Sequence, residues 1–231
     1  MSSSGLNAYC LNLVIARFCS EVAAEPMSFF SEADLQGVLF AKLIAEFPDQ
    51  VETSYARGPH SKGKYKTGLI HLEYGAGGGR RVDLSLFDPE AIGTIDGPNL
   101  KVGKRYLKPR FAIELGTEKS LDTAGHIERD LKKLSNATER GYIIHFFRDT
   151  TRADTGTKRR EGTEDRIKEI FKNPVHLTKP PSNVVALFFL LRLAHTHKKI
   201  FGKCELFLHE TGTWEKVNLQ SVRSKVLDRL A

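Results

Sequence analysis

The chain has 231 residues, with 35 Lys and Arg against 28 Asp and Glu, a formal net charge of +7 and a pI near 9.3. Hydrophobic residues make up 40% and charged residues 27%, which excludes a disordered tail, a collagen and a coiled coil. The longest apolar run, 184–191, falls far short of the roughly 18 residues a spanning helix needs, so no membrane partner is expected. The basic balance fits a nucleic-acid partner without requiring one. The Met-Ser-Ser-Ser-Gly opening lacks the basic region of a secretion signal.

In chain order, residues 6–22 read as a helix that Pro26 closes. Ser31 has the character of an N-cap, with Asp34 completing a capping box, and the helix it opens runs to Phe47, where Pro48 stops it. The apolar stripe of that helix is Leu35, Leu39, Leu43 and Phe47. Strand signals cover 51–56, 69–74 and 81–87, with a basic turn at 58–63 and a Gly-rich turn at 75–79 that joins the last two as a hairpin. Residues 88–109 form a long loop rich in Gly and Pro, with room for one short turn of helix. A strand at 110–115, a helix at 122–138 and a hydrophobic strand at 141–148 follow. Beyond a polar loop at 149–162 lie a helix at 164–172, a buried strand at 184–191, a hairpin of 203–208 with 213–217, and a closing helix at 219–230. This order predicts one α/β domain over 1–231, with a central mixed sheet flanked by helices. Residues 1–30 form an N-terminal helical extension, and 149–231 add a helix, a buried strand, a hairpin and a helix at the C-terminal side.

The three cysteines have no paired-ligand spacing, and Cys10 and Cys19 fall on opposite sides of their helix at about 100° per residue. They read as reduced core thiols of a cytoplasmic protein. The glycine run at 75–79 lacks Gly-Lys-Ser/Thr and lies between strands, so it is not a phosphate-binding loop. His195 and His197 have no accompanying zinc-ligand pair.

The chemistry concentrates on two strands. On 81–87 the period of two sets Asp83 and Ser85 apart from the apolar Val82, Leu84 and Leu86. On 110–115 the same period sets Ala112 and Glu114 apart from Phe111, Ile113 and Leu115. If these strands are neighbours, about 4.8 Å apart, Asp83 and Glu114 project to one side. Two carboxylates ~4 Å apart repel by about 4 kcal/mol at an effective dielectric near 20. A shared proton, a basic side chain or a divalent cation must offset that, and a hard cation such as Mg²⁺ suits oxygen ligands.

Four stretches in this order resemble the PD-(D/E)XK nuclease superfamily, which has the restriction-endonuclease-like fold. They are Ser-Glu-Ala-Asp-Leu-Gln at 31–36, Val-Asp-Leu-Ser-Leu at 82–86, Ala-Ile-Glu-Leu-Gly at 112–116 and Gly-His-Ile-Glu-Arg-Asp-Leu at 125–131. The resemblance covers about 31–148, and it is carried by the order of these short motifs on helix, hairpin, strand and helix. It implies an αβββαβ core and a Mg²⁺- or Mn²⁺-dependent endonuclease acting on nucleic acid, DNA ahead of RNA. It further implies that Asp83, Glu114 and the Leu115 carbonyl hold the metal and that Glu32 is the helix glutamate. Glu32 returns to within about 20° of Leu39 and Leu43 on a 3.6-residue period, and Glu46 is its rival. Members of the superfamily often pair, so a homodimer or a partner protein is a further expectation. The motif lysine belongs two residues after the glutamate, and here that position is Gly116. Lys119, reached through a turn at Gly116 and Thr117, is the first substitute, and Lys132 and Lys133 on the next helix are others. The remaining alternative is a catalytically inactive module of the same fold that binds nucleic acid or serves a partner-dependent defence role.

Overall fold

In a computed structural model, the chain is described over residues 6–56, 62–77, 80–93, 107–118, 125–149, 182–196, 199–208 and 213–231. The elements are α1 (Ala8–Ala24), α2 (Glu32–Glu46), β1 (Gln50–Ala56), β2 (Lys62–Gly68), β3 (Ile70–Gly77), β4 (Arg80–Leu86), α3 (Pro89–Gly93), β5 (Phe111–Gly116), α4 (His126–Ala137), β6 (Arg140–Asp149), β7 (Val184–Thr196), β8 (Lys199–Leu208), β9 (Thr213–Val217) and α5 (Val222–Leu230). Strands β3 to β9 form one seven-stranded sheet in chain order, while β1 and β2 form a separate antiparallel ribbon. Pairing is parallel for β5 with β6 and β6 with β7, and antiparallel elsewhere in the sheet. The protein is therefore mixed α/β, with a mixed sheet flanked by helices, as the element order predicts.

Period-two alternation gives the sheet two apolar faces. Leu84, Leu86, Ile113 and Ile144 join Leu11, Ile15 and Phe18 of α1, Leu35, Leu39 and Leu43 of α2, and Val226 and Leu230 of α5 in one core. Ala112, Ile143, Phe147 and Phe188 join Ile127, Leu131 and Leu134 of α4 in the other. The capping box at α2 forms as expected: the Asp34 amide donates to Ser31 Oγ at 3.3 Å, and the Ser31 amide donates to Asp34 Oδ2 at 2.8 Å. Helix α4 lies close on the sheet because β6 carries a glycine beneath it. A Cβ built on Gly141 would stand 2.9 Å from Leu134 Cβ. Its C-terminal end is pinned by the Thr138 hydroxyl, 3.0 Å from the carbonyl oxygens of both Pro109 and Arg110 at the start of β5.

Several expectations are corrected. Residues 62–68 are a strand rather than a turn and its flank; Lys-Gly-Lys-Tyr-Lys has little apolar signal, and the ladder with β1 supplies the pairing. The β3–β4 hairpin leaves less turn than five glycine-rich residues predict, because β3 runs to Gly77 and β4 starts at Arg80. The short turn of helix allowed for in the loop after β4 is found as α3. Strands β7 and β8 extend beyond their apolar runs, because backbone pairing with each other continues to Thr196 and Lys199. The predicted helix at 164–172 and the first residues of the predicted helix at 122–138 lie outside the described residues, as does Lys119. The cysteines are free, with Cys19 and Cys204 buried, and burial pushes the Cys204 thiol up to about 12. Among the described residues no helix is long and apolar enough to cross a membrane.

Candidate functional site

The register of β4 with β5, Leu84 opposite Ile113 and Ser85 opposite Ala112, brings Asp83 level with Glu114 at the next step. The ladder ends there because the Asp83 side chain takes over: the Leu115 amide donates to Asp83 Oδ2 at 2.7 Å. A strand residue directs its N–H and C=O to the same side, so the Leu115 carbonyl also faces the β4 side. On the other flank, Leu72 opposite Leu84 and Tyr74 opposite Val82 bring Glu73 level with Asp83. Three adjacent strands thus present a row of acids, Glu73, Asp83 and Glu114. Glu73 is the one non-glycine residue among those described with a positive φ, +52°, a conformation that side-chain-bearing residues rarely adopt and that gathers at functional sites.

Helix α4 crosses this row. His126, Asp130 and Lys133 share one of its faces, spaced four and three residues apart. Lys133 Nζ lies 2.7 Å from Glu114 Oε2 and 3.2 Å from Asp130 Oδ1, and His126 Nε2 lies 3.1 Å from Asp130 Oδ2. Asp83, Glu114 and Asp130 are buried, Glu114 being 3% exposed. Glu114 Oε1 makes no hydrogen bond. Glu32, at the N-terminus of α2, is half-buried. Arg148 of β6 holds that N-terminus in place: it donates to the Phe29 carbonyl at 2.5 Å and pairs with Glu118 just beyond β5. The cluster therefore sits where β5 ends, level with Ile143 in the first half of β6, between the N-terminus of α2 and the face of α4 that carries Asp130 and Lys133.

Burial dominates the electrostatics. It raises the Asp83 carboxyl to about 6, with the negative Glu32 and Glu73 adding to the rise and the Leu115 amide and Lys133 opposing it. Glu114 is held well above the carboxylate range by burial, then by Asp83 and Asp130. Glu32 is raised by burial, with Asp130 and Glu73 adding and His126 and Lys133 opposing. For Asp130, burial is overcome by the His126 contact and the Lys133 charge, and its carboxyl is lowered. Lys133 keeps its proton more firmly than usual, because Glu114 and Asp130 outweigh the desolvation of its ammonium. Three buried carboxylates thus face one ammonium and the imidazole of His126, whose pKa Asp130 raises. The excess negative charge calls for a proton or a cation.

A divalent cation of the kind the resemblance implies fits this donor set. The carboxylates of Asp83 and Glu114 offer hard oxygens, Glu114 Oε1 has no protein partner, and the Leu115 carbonyl lies on the same side. The fit rests on two side chains and a main-chain oxygen: among the described residues no three His, Cys, Asp or Glu side chains form a group able to hold a metal ion.

Of the residues expected from sequence, Glu32, Asp83, Glu114 and Leu115 are brought together. Glu46 is exposed at the far end of α2 and takes no part. Among the substitutes for the motif lysine, Lys133 reaches Glu114 and Lys132 is exposed. Gly116 pairs across the parallel ladder with His145, a fully buried histidine whose ring nitrogens make no hydrogen bond and whose pKa burial lowers to about 4. Sequence reasoning missed Glu73, His126 and Asp130. The i, i+4, i+7 spacing of 126, 130 and 133 was the one signal available for the last two. No family model, no curated protein and no solved structure matches this chain.

Proposed function

We propose that the protein is a Mg²⁺- or Mn²⁺-dependent nuclease that hydrolyses phosphodiester bonds, DNA ahead of RNA. The observation that carries this reading is the convergence of Asp83 and Glu114 from adjacent strands onto one buried spot shared with an ammonium. The order α2, β3, β4, β5, α4, β6, with β4–β5 antiparallel and β5–β6 parallel, fits the αβββαβ core of the restriction-endonuclease-like fold. In this reading Asp83, Glu114 and the Leu115 carbonyl hold the cation. When bound, the cation lowers the pKa of a water and offsets charge on the phosphate in the transition state. Lys133 takes the place of the motif lysine that Gly116 lacks, and its ammonium donates to a phosphate oxygen or to the attacking water. Glu32, raised by burial and facing the same cluster, accepts a proton at its carboxylate. The free buried thiols suit a reducing, cytoplasmic setting.

Purified protein is expected to nick or cut DNA with Mg²⁺ or Mn²⁺, and Asp83→Ala or Glu114→Ala to abolish cleavage. A wild-type protein inert across metals and across DNA and RNA substrates overturns the reading. That outcome would favour the second reading, a nucleic-acid-binding or partner-dependent module that no longer cleaves. Its specific support is that Lys133 already satisfies one Glu114 oxygen. It predicts salt-sensitive DNA binding that neither metal nor Asp83→Ala alters.

A further inference from the structure

Lys133 occupies a place that a divalent cation would contest. Its ammonium sits 2.7 Å from Glu114 Oε2, on one of the two carboxylates assigned to the cation, and only 3.2 Å from Asp130 Oδ1 on its own helix. Asp130 Oδ2 lies 3.1 Å from His126 Nε2 as an ion pair rather than an aligned hydrogen bond, and Asp130 Oδ1 is the second berth for the ammonium. Movement between the two partners needs only rotamer changes in a four-carbon stem, because Lys133 and Asp130 stand one turn apart on a helix anchored at Thr138 and packed hard on Gly141. Among the described residues, the charged and titratable groups around this ammonium are Glu114 from β5, Asp130 and His126 from α4, His145 from β6, Asp83 from β4 and Glu32 from α2, with Glu73 of β3 next to the last two.

We propose that the Lys133 ammonium is a built-in competitor for the divalent cation, holding Glu114 when the site has no cation and passing to Asp130 when one enters. Asp130 is then a positioning residue that acts through Lys133, and His126 keeps Asp130 in place. The inference rests on the proposal that Asp83 and Glu114 take a divalent cation. It gives the site a means of keeping a buried carboxylate partnered in both states, and of keeping the ammonium beside the reacting phosphate after it has left Glu114.

The test is Mn²⁺ binding to the purified full chain without nucleic acid, followed by titration calorimetry and by the electron paramagnetic resonance of free Mn²⁺. Wild type should bind Mn²⁺, and Asp83→Asn should abolish binding. Lys133→Met and Lys133→Gln should each bind at least tenfold more tightly than wild type, about 1.4 kcal/mol, although cleavage is lost. The glutamine variant carries the comparison if the methionine variant does not fold, as judged by circular dichroism. Asp130→Asn should weaken binding several-fold in wild type and have little effect in the Lys133→Gln background, because its action runs through the ammonium. Equal or weaker Mn²⁺ binding by both Lys133 variants overturns the competition while leaving the cation site standing. Additive effects of Asp130→Asn and Lys133→Gln overturn the transfer to Asp130. A wild-type protein that binds no Mn²⁺ removes the cation site itself, and the competition with it.

Discussion

Replacing Asp83 by Asn should stabilise the cation-free protein at neutral pH, by an amount that depends on pH in a defined way. The Asp83 carboxyl rises from an ordinary 3.8 to about 6 in the folded protein. The folded state therefore binds more protons than the unfolded chain between those values, and stability falls as pH rises through that window. Raising a pKa from 3.8 to about 6 corresponds to about 3 kcal/mol, fully expressed above pH ~7 and absent below pH ~4. Asparagine keeps an oxygen for the Leu115 amide, 2.7 Å away in wild type, and removes the charge. It also removes one of the groups that raise Glu114, so the neighbouring effect has the same sign. Urea unfolding of both proteins from pH 4 to pH 8 should give coincident midpoints at pH 4 and a gain of about 2–3 kcal/mol for Asp83→Asn at pH 8, with unchanged m-values. Millimolar Mn²⁺ should narrow the gap by stabilising wild type alone. A difference that does not vary with pH, or a variant less stable at pH 8, would refute a buried, charge-strained Asp83.

Two further expectations concern the frame that holds the site. Gly141→Ala should cost about 1–3 kcal/mol by forced repacking, because the new Cβ meets Leu134 Cβ at 2.9 Å and Val184 Cγ2 at 3.3 Å; thermal unfolding measures the loss. Asn12→Ala should cost about 1–3 kcal/mol in urea unfolding, because it strands the buried Tyr142 hydroxyl, 3.0 Å from Asn12 Oδ1, and leaves the Leu230 carbonyl with Arg140 as its remaining donor.

Much of this arrangement was legible in the sequence because it follows from local rules. Alternation of two on 81–87 and 110–115 was enough to put Asp83 and Glu114 on one side once the strands became neighbours, and Ser31 with Asp34 marked the start of α2. What remained hidden depends on tertiary packing. The choice of Lys133 over Lys132 follows from the rotation of α4 about its axis, which Gly141 and Leu134 set by close contact. Glu73 joins the row through a left-handed backbone that nothing in Leu-Glu-Tyr announces. Strand β2 escaped notice because polar alternation carries no burial signal, and its existence depends on β1.

The C-terminal end of the chain is tied to the first residue of β6, three ladder steps from the level of Glu114. Leu230 O accepts from Asn12 Nδ2 at 2.8 Å and from Arg140 Nη2 at 2.7 Å, and Arg140 is the first residue of β6, whereas Arg148, which braces the α2 end of the cluster, lies near its last. Eight steps of parallel strand at about 3.3 Å each separate those two arginines by roughly 26 Å. A fluorophore or surface tether fixed after Ala231 would therefore report from the end of β6 opposite Arg148, roughly 10 Å along the strand from the level of Glu114, because Arg140 lies opposite Phe111 and Ile143 opposite Glu114.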